Sequence, residues 1–131
     1  MRTDELERRR IVEAGGSVLA NVRKGHDEEL IAWAIETGCY VYIGDNEPHT
    51  GRKRSIWYNP FKVSRYGRDK AVELYRDYIL SKPDLLARLP ELRGKVLGCW
   101  CYPLSCHGAV LLKSLYISVE LVARAHAKRP I

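Results

Sequence analysis

The chain predicts a small α/β domain, a mainly parallel sheet of about three strands flanked by helices. Three observations lead there. Residues 17–22, 39–44 and 95–100 are short runs rich in β-branched, aromatic or small apolar side chains, each bounded by glycine or charge, as buried strands are. Between them lie stretches with helical periodicity, and strands that alternate with helices pair in parallel through right-handed crossovers. The length, 131 residues, suits one core.

In order along the chain, residues 3–14 read as a charged helix closed by Gly15-Gly16, because glycine accepts the left-handed conformation that ends a helix. Its apolar face is thin, with Leu6, Ile11, Val12 and Ala14, which places it at the periphery. The first strand follows. Asp27 is positioned to cap a second helix, whose buried side is Leu30, Ile31, Trp33, Ala34 and Ile35 before Gly38 stops it. After the second strand, residues 45–68 show no convincing regular element. Residues 69–80 carry Ala71, Val72, Leu74, Tyr75, Tyr78 and Ile79 at helical spacing, and Pro83 opens a shorter helix that ends before Pro90. Beyond the third strand a long helix runs from Cys106 or His107 to Ala127, apolar around much of its girth, and so either central or a dimer face. The expected organisation is a single Rossmann-like domain over 1–131, with a peripheral helix in 1–16, a core over 17–127 and a tail at 128–131.

Composition narrows the setting. The chain is 46% hydrophobic and 29% charged, and no apolar run approaches a membrane span, so no membrane partner is expected. The N-terminus lacks the apolar core of a signal peptide, which predicts a cytoplasmic protein whose four cysteines are thiols, metal ligands or catalytic groups. Glutamine is absent and Arg, Glu and Lys are abundant, a bias that suits a hyperthermophilic source, where a disulfide inside a cell is less unusual. A net charge of +6 raises the expectation of a polyanionic partner.

The densest chemistry lies at 97–108, Leu-Gly-Cys-Trp-Cys-Tyr-Pro-Leu-Ser-Cys-His-Gly. Residues two apart in a strand face the same way, so Cys99 and Cys101 present both sulfurs on one side, and a short loop returns Cys106 and His107 at a helix start. Three thiolates and an imidazole form a set suited to zinc, with Cys39 or His49 as alternates. The competing reading is small, buried, reduced cysteines. A third is catalysis, since a helix N-terminus stabilises a thiolate at Cys106. Separately, Arg52, Lys53, Arg54, Lys62 and Arg65 interleave with Trp57, Tyr58, Phe61 and Tyr66, cations for phosphates and rings for base stacking. A solvated, ion-paired loop with inward aromatics accounts for the same residues.

Five blocks together resemble the uncharacterised family known as domain of unknown function 4326. They are residues 41–44 (Val-Tyr-Ile-Gly), 57–61 (Trp-Tyr-Asn-Pro-Phe), 71–76 (Ala-Val-Glu-Leu-Tyr-Arg), 89–95 (Leu-Pro-Glu-Leu-Arg-Gly-Lys), and Gly98-Cys99-Trp100-Cys101 with Pro103 and Cys106-His107-Gly108. The resemblance covers roughly 40–115, and Asp45, Tyr58 and Ala109 depart from the family's usual pattern. It implies a fold and a site location without supplying a reaction. The expected function is a small zinc-stabilised, non-catalytic binding module for nucleic acid or nucleotide. The alternatives are a small enzyme acting on a nucleotide or phosphoester through Cys106 or a zinc-bound water, and a structural homodimer joined through the 107–127 helix.

Overall fold

The computed structural model describes residues 1–115. The expected helix beyond 115, the 128–131 tail and the distal part of a 107–127 dimer face lie outside the described residues. Within them run α1 (Thr3–Glu13), β1 (Val18–Asn21), α2 (Glu28–Glu36), β2 (Tyr40–Tyr42), α3 (Val63–Tyr66), α4 (Arg68–Leu80), α5 (Pro83–Arg88), a 3-10 turn (Leu89–Leu92) and β3 (Val96–Cys99). A helix over 107–115, α6, follows. This is the α/β architecture the alternating pattern predicts.

The three strands are parallel in the order β1-β3-β2. Val18 to Asn21 pair with Val96 to Cys99, and Tyr40 to Tyr42 with Val96 to Gly98. The last strand is thus inserted between the first two. Its composition explains the position, because a strand paired on both edges and covered on both faces must be apolar throughout, and all four β3 residues are buried. By contrast β2 is the half-buried edge.

Side-chain alternation divides the core into two layers. Val18, Ala20 and Val96 face Val12 of α1 and Leu30 and Ala34 of α2. Leu19, Ile43, Leu97 and Cys99 face Tyr75 and Ile79 of α4, Leu89 and Leu92, and Val110, Leu111 and Leu115 of α6. Gly98 serves the first layer, since a Cβ there would strike the ring of Tyr40 lying across the sheet. Gly108 serves the second, because its added Cβ would come within 2.6 Å of Leu19 and 3.0 Å of Ile43, so α6 rests its first turn directly on the strands.

Two local expectations change. Asp27 stands at the N-cap position of α2 without making a side-chain cap bond. Its carboxylate is instead spent on Arg8, at 2.8 and 2.9 Å, and on the Asn21 amide at 2.7 Å, while Glu5 of α1 accepts the Leu30 amide that opens α2 at 2.9 Å. So α1 docks through a buried polar face, which its thin apolar stripe does not reveal. The 45–68 segment also holds more order than its punctuation suggests, with an antiparallel bridge between Glu47 and Arg52 and the single turn α3.

Candidate functional site

Parallel strands leave their C-terminal ends on one edge, and in open α/β sheets ligands bind in the crevice just outside it. Here that edge is built by the chain leaving β2 at Ile43-Gly44-Asp45 and by the turn from Trp100 to Cys106. The 59–63 loop and α4 close the third side. Together they enclose a cavity of about 150 Å³ lined by Gly44, Asn59, Phe61, Lys62, Trp100, Cys101, Cys106 and His107, among others. Four of the five blocks that carry the family resemblance therefore meet in one crevice, the residues 71–72 of α4 included.

The thiols gather around Cys106. Its sulfur lies 3.7 Å from that of Cys99, and both are buried. Cys101 neighbours Cys106 and the guanidinium of Arg68, and is half-buried at the crevice wall. Helix α6 begins at His107, so Cys106 stands at its N-cap, where the Gly108 amide favours its thiolate. That influence does not prevail. The hydrogen bond with Cys101 also favours the Cys106 thiolate, but the one with Cys99 and burial outweigh both and push its thiol up to about 11. The Cys106 hydrogen bond lowers Cys99 against the cost of its burial, while Cys106 and burial together raise Cys101. The sulfur at the helix start is consequently a protonated thiol near neutral pH.

His107 is held by Nε2 against the Ile43 carbonyl at 2.7 Å, with its ring edge-on to Tyr75 at 5.0 Å. Burial lowers its pKa against the pull of that carbonyl, so the ring is neutral, donates from Nε2 and keeps Nδ1 as an acceptor. Of the expected metal set, then, Cys99, Cys101 and Cys106 come together and His107 turns Nε2 away. Neither alternate joins them. Cys39 packs on the opposite face of the sheet with the α1/α2 layer, and His49 has an exposed side chain. Among the described residues no group of three or more His, Cys, Asp or Glu side chains is placed to hold a metal ion.

The basic aromatic segment divides between inside and outside. Trp57 is 3% exposed, sits in the α4/α6 layer and offers its carbonyl to the Tyr75 hydroxyl at 2.8 Å, so it anchors the loop and presents no face for a base. Arg54 pairs with Asp45 at 2.7 Å and stacks on Tyr58 at 4.4 Å, and Arg65 lies over Tyr66 at 5.4 Å. Arg52 pairs with Glu47 at 3.4 Å. Lys53 and Lys62 are exposed, and Lys62 reaches the crevice.

Two residues escaped sequence reasoning. Asn59 turns the loop on itself, accepting the Phe61 amide at 2.9 Å and donating to the Ala71 carbonyl at 3.3 Å, a role its place before Pro60 could have suggested. Glu47 is 7% exposed, and one of its oxygens accepts from the Tyr42 hydroxyl at 2.8 Å and the Trp100 indole at 2.9 Å. Nothing in a charged loop sequence marks such a residue.

Comparison with known proteins agrees with the resemblance. The family model described as a domain of unknown function, DUF4326, matches residues 23–116, further toward the N-terminus than the expected 40 and so taking in α2. An uncharacterized protein of Acanthamoeba polyphaga mimivirus is similar to this chain, 40% identical over 97 residues that make up 66% of this chain and 73% of that protein. No solved structure matches. Among the described residues no helix is long and apolar enough to cross a membrane.

Proposed function

This chain belongs to the DUF4326 family, and from that premise we propose that it is a non-catalytic binding module for a nucleotide or a nucleotide unit of a single strand, whose crevice at the C-terminal sheet edge takes the base or the phosphate and leaves the rest of the unit outside. One observation carries the reading: four separated segments of the chain close Phe61, Lys62, Trp100 and His107 around a single cavity of about 150 Å³. Each supplies a contact such a ligand needs. The rings of Phe61 and Trp100 offer stacking surfaces, the Lys62 ammonium complements a phosphate, and Nδ1 of the neutral His107 accepts a hydroxyl. A protonated Cys106 speaks against the form of the enzyme alternative that uses it as nucleophile, since the thiolate is the reactive species.

The test is titration of the purified chain with ATP and with a short thymidine oligonucleotide at low and at moderate salt. Binding should weaken steeply with salt, and Lys62→Ala should reduce it several-fold. Absence of binding at low salt overturns the reading.

A second reading, zinc held by Cys99, Cys101, Cys106 and His107, draws on one distance. Zinc–sulfur bonds of about 2.3 Å at a tetrahedral centre set neighbouring sulfurs about 3.8 Å apart, and Cys99 and Cys106 lie at 3.7 Å. It requires Cys101 and the imidazole of His107 to turn inward, because the four do not converge as they stand. Metal analysis tests the zinc independently of the nucleotide: one zinc per chain, with a fall in Tm on chelation, supports the metal, and a metal-free chain with an unchanged Tm supports three reduced thiols. The structural homodimer rests on the 107–127 helix, most of it outside the described residues, and sedimentation of the full chain tests it.

A further inference from the structure

Trp100 also forms a wall of a larger cavity, about 660 Å³, between α2 and the 49–52 loop. That volume is in the range of small-molecule sites. One side is an apolar shelf made by Ile31, Ala32 and Ile35 of α2, the Trp100 indole lines the same cavity, and Lys24, His49 and Arg52, the last paired with Glu47 at 3.4 Å, bring donors to it. Glu28, also on the lining, has its carboxylate engaged by the Gly25 amide at 2.8 Å.

Beside this cavity lies an unsolved polar account. Among the described residues Glu47 Oε2 is buried without a hydrogen-bond partner, although the other oxygen of the same carboxylate is fully used. A buried carboxylate oxygen left without a donor is unfavourable. Nε2 of His49 lies 4.0 Å from it, on an exposed side chain that also lines the cavity. A small inward turn of His49 would satisfy Glu47, and a ligand group that packs against the imidazole would hold it there.

We propose that this cavity is a second binding site, for a nucleoside monophosphate, with the base between Trp100 and the Ile31/Ala32/Ile35 shelf and the phosphate against Lys24 and His49. The shelf and the indole select a flat apolar body. The two donors select an anionic end. The site lies on the α2 side of the sheet and uses neither Lys62 nor His107, so it stands apart from the crevice and goes beyond the function proposed for it.

The experiment titrates the full chain with AMP, adenosine and inorganic phosphate, read by calorimetry and by Trp fluorescence. Ala32 is exposed on the shelf, so Ala32→Trp fills the cavity without disturbing the core. AMP should bind saturably and more tightly than adenosine or phosphate, Ala32→Trp should remove this binding and leave only what the crevice contributes, and Lys24→Ala should weaken it roughly tenfold. The AMP binding that Ala32→Trp removes should persist in Lys62→Ala, which alters only the crevice. Failure of AMP to bind overturns the proposal, as does equal binding of phosphate alone or an affinity that Lys24→Ala and Ala32→Trp both leave unchanged. Loss of AMP binding in Lys62→Ala alone assigns the ligand to the crevice and also overturns it.

Discussion

Gly108 fixes how closely α6 can approach the sheet, and through that approach it places Cys106 and His107. A methyl group there meets Leu19 and Ile43 inside van der Waals contact, so Gly108→Ala must push the helix start outward. Overpacking of this kind costs about 1–3 kcal/mol, and thermal melting should register the loss. Tyr75 acts in the same layer, its buried hydroxyl donating to the Trp57 carbonyl at 2.8 Å. Tyr75→Phe leaves that carbonyl dry and should cost about 1–2 kcal/mol in urea denaturation, with the ring packing retained. At the sulfurs, Cys106 with its pKa near 11 should resist iodoacetamide at pH 7 in the folded chain and react once the chain is unfolded, as peptide mapping of the alkylated protein would show.

The element with the least expected interior is α1. Its amphipathic stripe is too thin to hold it, and the structure attaches it by charge: Arg8, 6% exposed, makes paired hydrogen bonds to Asp27, 2% exposed, in the β1–α2 connection. Arg2, half-exposed, also pairs with Asp27 at 2.5 Å, so removing Arg8 leaves the buried carboxylate with that pair and the Asn21 amide, a loss toward the lower end of the about 3–5 kcal/mol that breaking a buried pair costs. Arg8→Ala should therefore destabilise far more than the double variant Arg8→Met, Asp27→Leu. The pair also sets a pH dependence. Burial opposes the charge of Asp27, but the hydrogen bonds from Arg8 and the Asn21 amide outweigh it and hold the carboxyl below the ordinary value of 3.8. A carboxylate depressed on folding stabilises in full above its unfolded pKa and loses that contribution as pH falls through the lower folded one. The urea midpoint should accordingly drop below about pH 4, and less steeply in the double variant.

On the scale of the whole molecule, charge and chemistry collect on the C-terminal edge of the sheet, where two cavities share Trp100 as a wall. The strand, helix and strand order was readable because strands buried on both faces appear as short continuous apolar runs and helices as a period near four, and the sequence displays both. The resemblance in turn located the crevice, since its blocks are the segments that line it. Side-chain direction in the 45–68 loop was not readable, because Trp57 and Tyr58 are adjacent and equally aromatic, yet only Trp57 is buried. Nor was the fate of Asp27, a residue equally fit to cap a helix or to pair with an arginine nineteen positions earlier.

By itself, then, the sequence determined the strands and helices, their parallel arrangement and the clustering of three cysteines and a histidine at one turn, all properties of local period and spacing. Tertiary structure alone decided that β3 enters between β1 and β2, that His107 spends Nε2 on the Ile43 carbonyl, and that one oxygen of the buried Glu47 carboxylate gathers the Tyr42 hydroxyl and the Trp100 indole. These depend on which distant groups meet, and a buried hydrogen bond is chosen by its partner, not by its neighbours in the chain.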